Sequence, residues 1–79
     1  MIEKEISREL LNANPLIWIK EHDEVSFKDN TTKSWEEGGA IQSIFKEETG
    51  EWYVNVKTGD GKTRRVNLND VYSVKIFKG

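Results

Sequence analysis

The sequence predicts a mainly β domain, a five-stranded antiparallel barrel preceded by one short N-terminal α-helix. Three observations carry that expectation. Residues 24–28, 40–46, 51–58, 62–67 and 71–77 are short runs rich in β-branched and aromatic side chains, closely spaced and separated by turn residues. Two of the gaps, 46–50 and 59–61, are glycine-containing hairpin signals, because glycine supplies positive φ at no steric cost. The first thirteen residues instead carry apolar side chains at spacings of four, four and three. Short antiparallel strands at this spacing protect their edges by closing on themselves.

The helix is expected over 2–13, with Ile2, Ile6, Leu10 and Ala13 on one stripe and Leu11 beside it. Glu3 and Glu5 in its first turn suit the helix dipole, and Asn14 before Pro15 ends it. Three turns are too few to stand alone, so the stripe must dock, across its own barrel or on another chain. We therefore divide the chain into a helix over 1–14 and a barrel over 15–79, within a single domain. Leu16, Ile17, Trp18 and Ile19 form a short β-rich run, and Glu21, His22 and Asp23 a polar turn. Residues 24–28 alternate Val25 and Phe27 with Glu24, Ser26 and Lys28, the pattern of a half-buried strand.

Residues 29–39 have the composition of a surface loop that carries one exposed aromatic, Trp35. In the next strand the spacing of three between Ile41 and Ile44 breaks strict alternation and predicts a bulge or a bend. Residues 51–58 alternate Trp52, Val54 and Val56 with Tyr53, Asn55 and Lys57, which makes this the central strand and Trp52 a core side chain. Residues 62–67 return from the 59–61 turn, Asn69 and Asp70 make a corner, and 71–77 close the sheet.

The chain has 79 residues, 35% hydrophobic and 33% charged, with three Trp, two Tyr and three Phe, which argues against disorder and for one small aromatic core. It contains no Cys, so neither disulfides nor thiolate zinc sites can staple it. The apolar run 16–19 is too short to span a bilayer, and the acidic start is the wrong chemistry for a signal peptide, so a cytoplasmic setting is expected. Net charge is −2, but residues 1–39 hold five Lys/Arg against nine Asp/Glu, and residues 40–79 hold seven against five, giving −4 and +2.

The runs 23–27, 39–44 and 51–54, followed by the Asn67-Leu68-Asn69-Asp70 corner before the last strand, resemble an SH3-like small barrel in the broad sense that includes the Tudor and KOW types. That resemblance covers two-thirds of the chain and implies peptide, nucleic-acid or methyl-lysine binding, or a structural role. Trp52 and Asn69 match the tryptophan and asparagine of proline-peptide readers. Asn67 and Asp70 stand where the proline and tyrosine of that groove would be, so the groove lacks two walls.

The leading functional expectation is a non-catalytic module that recruits or inhibits a protein partner through Trp35, Trp18 and Tyr53, as a monomer or weak homodimer. The alternative is a nucleic-acid-binding domain using Lys57, Lys62, Arg64 and Arg65 around the 59–61 turn, with Tyr53 to stack a base. A net negative chain engages polyanions only if its acidic half faces away. An aromatic cage from Tyr53, Trp35, Tyr72 and Glu36 would need these side chains to converge. A further class, blockade of a larger host or phage complex by N-terminal carboxylates that mimic phosphates, has no motif behind it.

Catalysis is not expected. His22 is the sole imidazole, the adjacent pairs Glu36-Glu37 and Glu47-Glu48 point to opposite faces of an extended chain, and no phosphate-binding glycine loop occurs. No cofactor, metal or membrane is expected.

Overall fold

The alternation of residues 24–28 becomes β2 (Glu24–Asp29), which buries Val25 and Phe27. A computed structural model describes residues 2–77; the side chains of Ile2, Glu3 and Glu37 lie outside that description. Around β2 are β1 (Ile2–Ser7), α1 (Arg8–Ala13), β3 (Trp35–Lys46), β4 (Trp52–Thr58), β5 (Thr63–Asn67) and β6 (Val71–Phe77). Short 3-10 turns occupy Pro15–Ile17 and Leu68–Asp70. All strand pairs are antiparallel, and the sheet order is β1-β6-β2-β3-β4-β5.

The molecule is mainly β, as expected, but among the described residues the sheet has six strands and β1 and β5 remain its edges, so hydrogen bonding does not close it. The extra strand comes from the expected helix. Ile2 to Ile6 is a spacing of four that fits a helix turn and also a strand of period two, and β-branched Ile favours the strand. Pairing with β6 settles the choice, because an extended segment gains ladder partners there that an isolated helix does not have. Ile6 is buried opposite Val74. Only Arg8–Ala13 is helical, and it turns Leu11 inward while Leu10 and Ala13 stay exposed. Arg8 Nη1 donates to the carbonyls of Asn69 (2.6 Å) and Val71 (3.0 Å), fastening the start of α1 to the corner before β6.

Residues 16–19 are likewise not a strand. Pro15 starts a 3-10 turn, Asn14 Oδ1 accepts from Leu16 N at 3.0 Å, and Leu16 and Ile17 face out while Ile19 is fully buried. The Glu21-His22-Asp23 turn is present. His22 takes φ 75°, its N–H donates to the Ile41 carbonyl, and Asp23 Oδ2 accepts from Lys20 N.

The expected 29–39 loop is shorter than its composition suggested. Asp29 Oδ1 accepts from the N–H groups of Thr31 (2.7 Å) and Thr32 (2.8 Å), which folds 29–34 into a tight turn, and β3 begins at Trp35. Trp35 is therefore a half-buried strand residue opposite Lys28 rather than an exposed loop aromatic.

The expected bulge lies between Ile41 and Ser43, where two residues of β3 oppose one step of β4. A second irregularity, between the Val25–Gly39 and Phe27–Glu36 pairs, adds another extra residue to β3. Between the two, β3 changes partner, with residues 35–40 on β2 and 39–46 on β4. Glycine is required there. A Cβ on Gly38 would lie 1.6 Å from the Val25 carbonyl oxygen, and one on Gly39 2.0 Å from that of Lys57.

The core is aliphatic rather than aromatic. Ile6, Leu11, Ile19, Val25, Ile41, Val54, Val56, Val66, Leu68, Val71, Val74 and Ile76 surround Phe27, the one fully buried aromatic, with Trp18, Ile44 and Trp52 packed against them. Each fully buried side chain of this kind contributes about 1.5–3 kcal/mol.

Two predictions follow from this backbone. Gly38→Ala and Gly39→Ala each lower the unfolding free energy by about 3 kcal/mol, since backbone rather than a side-chain tip must yield. Gly50→Ala, in open space at φ 90°, costs only about 1–2 kcal/mol. Equal losses at all three positions in urea titrations would remove the pinch from its controlling role.

The second concerns acid. Backbone N–H donors hold the Asp29 carboxyl below its usual 3.8, and the Thr58 hydroxyl with the Lys62 N–H does the same for Asp60. A carboxyl lowered by folding stabilises fully above its unfolded value and loses that contribution as pH falls through the folded one. Stability should therefore decline from about pH 4 downward, and Asp29→Asn with Asp60→Asn should flatten that decline; an unchanged acid limb would assign it to other carboxyls.

Candidate functional site

The basic hairpin is the first place to look for a ligand surface, because Lys57, Lys62, Arg64 and Arg65 flank the 59–61 turn. Strand register sets Arg64 opposite Val56 and Arg65 opposite Asn55, so the two arginines leave opposite faces of β5. Each meets a carboxylate, Arg64 on Glu36 and Arg65 on Glu47. The Arg65 guanidinium also lies 4.1 Å from the Tyr53 ring centroid and 5.3 Å from that of Phe45, and those two rings stack at 5.8 Å.

Tyr53 is occupied at its hydroxyl as well. It donates to Glu51 Oε2 at 3.0 Å, and Asn67 Nδ2 donates to the same oxygen at 3.2 Å and to the Tyr53 hydroxyl at 3.3 Å. The hydrogen bond to Glu51 is the main reason that its phenol titrates above 10.0. The expected base platform is thus covered by this chain's own arginine. Lys57 and Lys62 are exposed, but Lys57 pairs with Thr63 four residues along β4 from Tyr53, so they do not gather around that ring.

The three expected contact aromatics do not come together. Trp18 packs half-buried against the core beside Ile17, Lys20 and Lys4. Trp35 starts β3 opposite Lys28 of β2, ten residues along β3 from Phe45, the residue that pairs with Tyr53. The aromatic-cage grouping divides: Trp35 and Tyr72 share Lys28, while Tyr53 sits with Arg65 and Glu36 is held by Arg64.

A different constellation forms around Trp35. Lys75 Nζ is 3.9 Å from its ring centroid and Lys28 Nζ 5.6 Å. Lys28 Nζ is also 5.6 Å from the Tyr72 centroid, and Lys33 Nζ lies 3.8 Å from the same ring. The result is an alternating row, Lys75, Trp35, Lys28, Tyr72, Lys33. Local structure places each member. Lys28 and Trp35 are paired across the 29–34 turn, and Ser26 pairs with Lys75 one outward position along β2. Tyr72 is the extra β6 residue at the irregularity between the Lys28–Ser73 and Asp29–Val71 pairs, which turns it out to 43% exposure. Lys33 has φ 58°, a left-handed conformation that a lysine adopts only at a cost.

None of these lysines is in an ion pair among the described residues, where the pairs found are Arg64–Glu36 and Arg65–Glu47. Glu5 stands opposite Lys75 in register, but its Oε1 accepts from the Ser73 hydroxyl at 3.2 Å. Beside Tyr72 a cleft of about 310 Å³ runs along β1 and α1, lined by Glu5, Ser7, Arg8, Glu9 and Ser73.

Lys28, Lys33 and Lys75 carry no signal in composition, and only the hairpin pairing of positions 28 and 35 could have linked the first of them to Trp35. Among the described residues, no group of three His, Cys, Asp or Glu could hold a metal ion, and no helix is long and apolar enough to cross a membrane. Comparison with protein-family models, curated proteins and solved structures returned no match.

Glu51→Gln should bring the Tyr53 phenol back down toward 10.0, read by tyrosinate absorbance in a Tyr72→Phe background. An unshifted titration would mean that the carboxylate does not hold that hydroxyl.

Proposed function

We propose that this chain is a small non-catalytic binding module built on an SH3-like barrel, and that it engages its partner through the outer face of β2, β3 and β6. The strand order supports the barrel reading. β2 through β5 form a meander, a 3-10 corner at Leu68–Asp70 follows, and β6 returns to pair with β2. β3 serves both halves of the sheet through its glycine bend. The barrel would then be a five-stranded unit with β1 added alongside β6.

The observation that carries the functional reading is the contrast between two cationic regions. At the hairpin both arginines are neutralised by carboxylates of the same chain, whereas the lysines around Trp35 and Tyr72 lie over aromatic faces and have no ion-pair partner among the described residues. Aromatic side chains on a rigid sheet lose little entropy on binding and supply large contact areas. A module that recruits or inhibits another molecule needs no more than such a face. The surroundings of His22 support a non-catalytic role, since its backbone and its neighbour Asp23 are committed to a turn.

The test is capture from source-cell lysate by the immobilised full chain, with retained protein and nucleic acid both measured. Trp35→Ala with Tyr72→Ala should lower what the wild-type chain retains at least about tenfold, while Arg64→Gln with Arg65→Gln should leave it intact. The reverse pattern would move the site to the hairpin, and indifference to both pairs of changes would sink the module reading.

A further inference from the structure

We infer that the row Lys75, Trp35, Lys28, Tyr72, Lys33 binds single-stranded nucleic acid, with two bases stacked on Trp35 and Tyr72 and the linking phosphates on the lysines. The inference rests on the binding-module reading above and names the ligand class of that face.

A single strand alternates an anionic phosphate with an exposed base face, and this surface alternates cation and ring in the same way. Lys28 is the telling member. Its Nζ lies 5.6 Å from both ring centroids, between two platforms, where the phosphate joining two stacked bases would lie. Lys75 and Lys33 stand at the outer rings, at 3.9 and 3.8 Å, and mark the phosphates on either side. Base stacking on aromatic rings tolerates sequence, because every base has a π face, and cations along the path hold the backbone. A duplex offers phosphates but hides its base faces, so it can use the lysines and not the rings.

A protein ligand fits less well. Lysine is depleted at the cores of protein interfaces, and three of them would have to be desolvated around two rings. The net charge of −2 does not forbid the polyanion. Glu36 and Glu47 are neutralised by arginines, while Asp29 and Glu5 keep their charge but turn oxygens to the Thr31 and Thr32 N–H groups and to the Ser73 hydroxyl. Three engaged phosphates imply a shallow salt dependence, with log affinity falling against log salt at a slope of about −2.

The experiment is fluorescence anisotropy with labelled mixed-sequence DNA and RNA strands of about ten nucleotides, a length within the usual site sizes, alongside the matching duplexes and a labelled polyglutamate peptide. The expected result is binding of the single strands at low salt, a slope near −2, and at least tenfold weaker binding of duplex. Lys28→Gln with Lys75→Gln, which leaves both rings and the core in place, should weaken binding about tenfold. Trp35→Ala with Tyr72→Ala should do so by a similar factor and also remove the Trp fluorescence change on binding. Arg64→Gln with Arg65→Gln should change little.

The inference is overturned by absence of single-strand binding from a chain with native circular dichroism, by equal binding of duplex, or by indifference to the lysine changes. Binding of polyglutamate in place of the oligonucleotides, sensitive to the same changes, would replace the ligand class and keep the module. Loss of oligonucleotide binding only in the arginine variant would overturn both.

Discussion

The architecture depends on one close approach, the passage of β3 between β2 and β4 at Gly38 and Gly39. At these two positions the strand leaves one partner and joins the other, and the backbones come nearer than any side chain allows, with Val25 pressing on one glycine and Lys57 on the next. Without that bend, the Phe27 side of the sheet could not meet the Val54, Val56 and Val66 side, and a sheet of this size has no other layer to bury it. The two added residues of β3, one on each side of the bend, increase the local twist that brings the halves together. A largely aliphatic core then suffices, because the sheet supplies its own opposing face.

The same bend fixes the site. Trp35 lies three residues before it, held against Lys28 by the 29–34 turn, and that turn is anchored twice near its start. Asp29 caps it from within, and the Asn30 N–H donates to the Asp70 carbonyl at 2.8 Å, joining the turn to the 3-10 corner. Arg8 reaches the other side of this corner through Asn69 and Val71. The turn, the corner and the α1 start therefore converge on the β6 irregularity that exposes Tyr72. The lysine–aromatic row stands on strands and a braced turn, so the proposed binding would not first have to order its own face.

The sequence made the strands legible where alternation was strict, as at Val25 and Phe27 or at Val54 and Val56, and even the Ile41–Ile44 irregularity was readable as a bulge. It misled at the N-terminus because Ile2 and Ile6 satisfy a period of 3.6 and a period of two alike, and only the free edge of β6 decides between them. It misled at 29–39 because Asp, Asn and Thr were read as loop composition when one aspartate compresses them into a turn. The site was partly legible. Trp35 stood out as a candidate, but its lysine partners come from Lys28, across the turn, and from Lys75, forty residues along the chain on β6. No local pattern can encode a meeting of that separation. The hairpin arginines misled for the converse reason, since their carboxylate partners Glu36 and Glu47 are also distant in sequence.

Why arginine at the hairpin and lysine on the β2-β3-β6 face is itself a physical question. β5 is an edge strand, and an edge must be discouraged from pairing with other chains. Arginine does this while resting 4.1 Å from the Tyr53 ring centroid and meeting Glu47, because a planar guanidinium can stack and pair at once. The opposite edge, β1, is guarded by patterning. Lys4 and Glu5 are both exposed along β1, and charged side chains on an edge strand discourage strand addition. Lysine on the row has a different consequence. Its compact ammonium on a flexible stem rests over a ring, and under the proposed function it would swing to an anion and leave the ring face open for stacking. Both edges thus carry charge that discourages strand addition, and the lysines of the row have no carboxylate partner among the described residues.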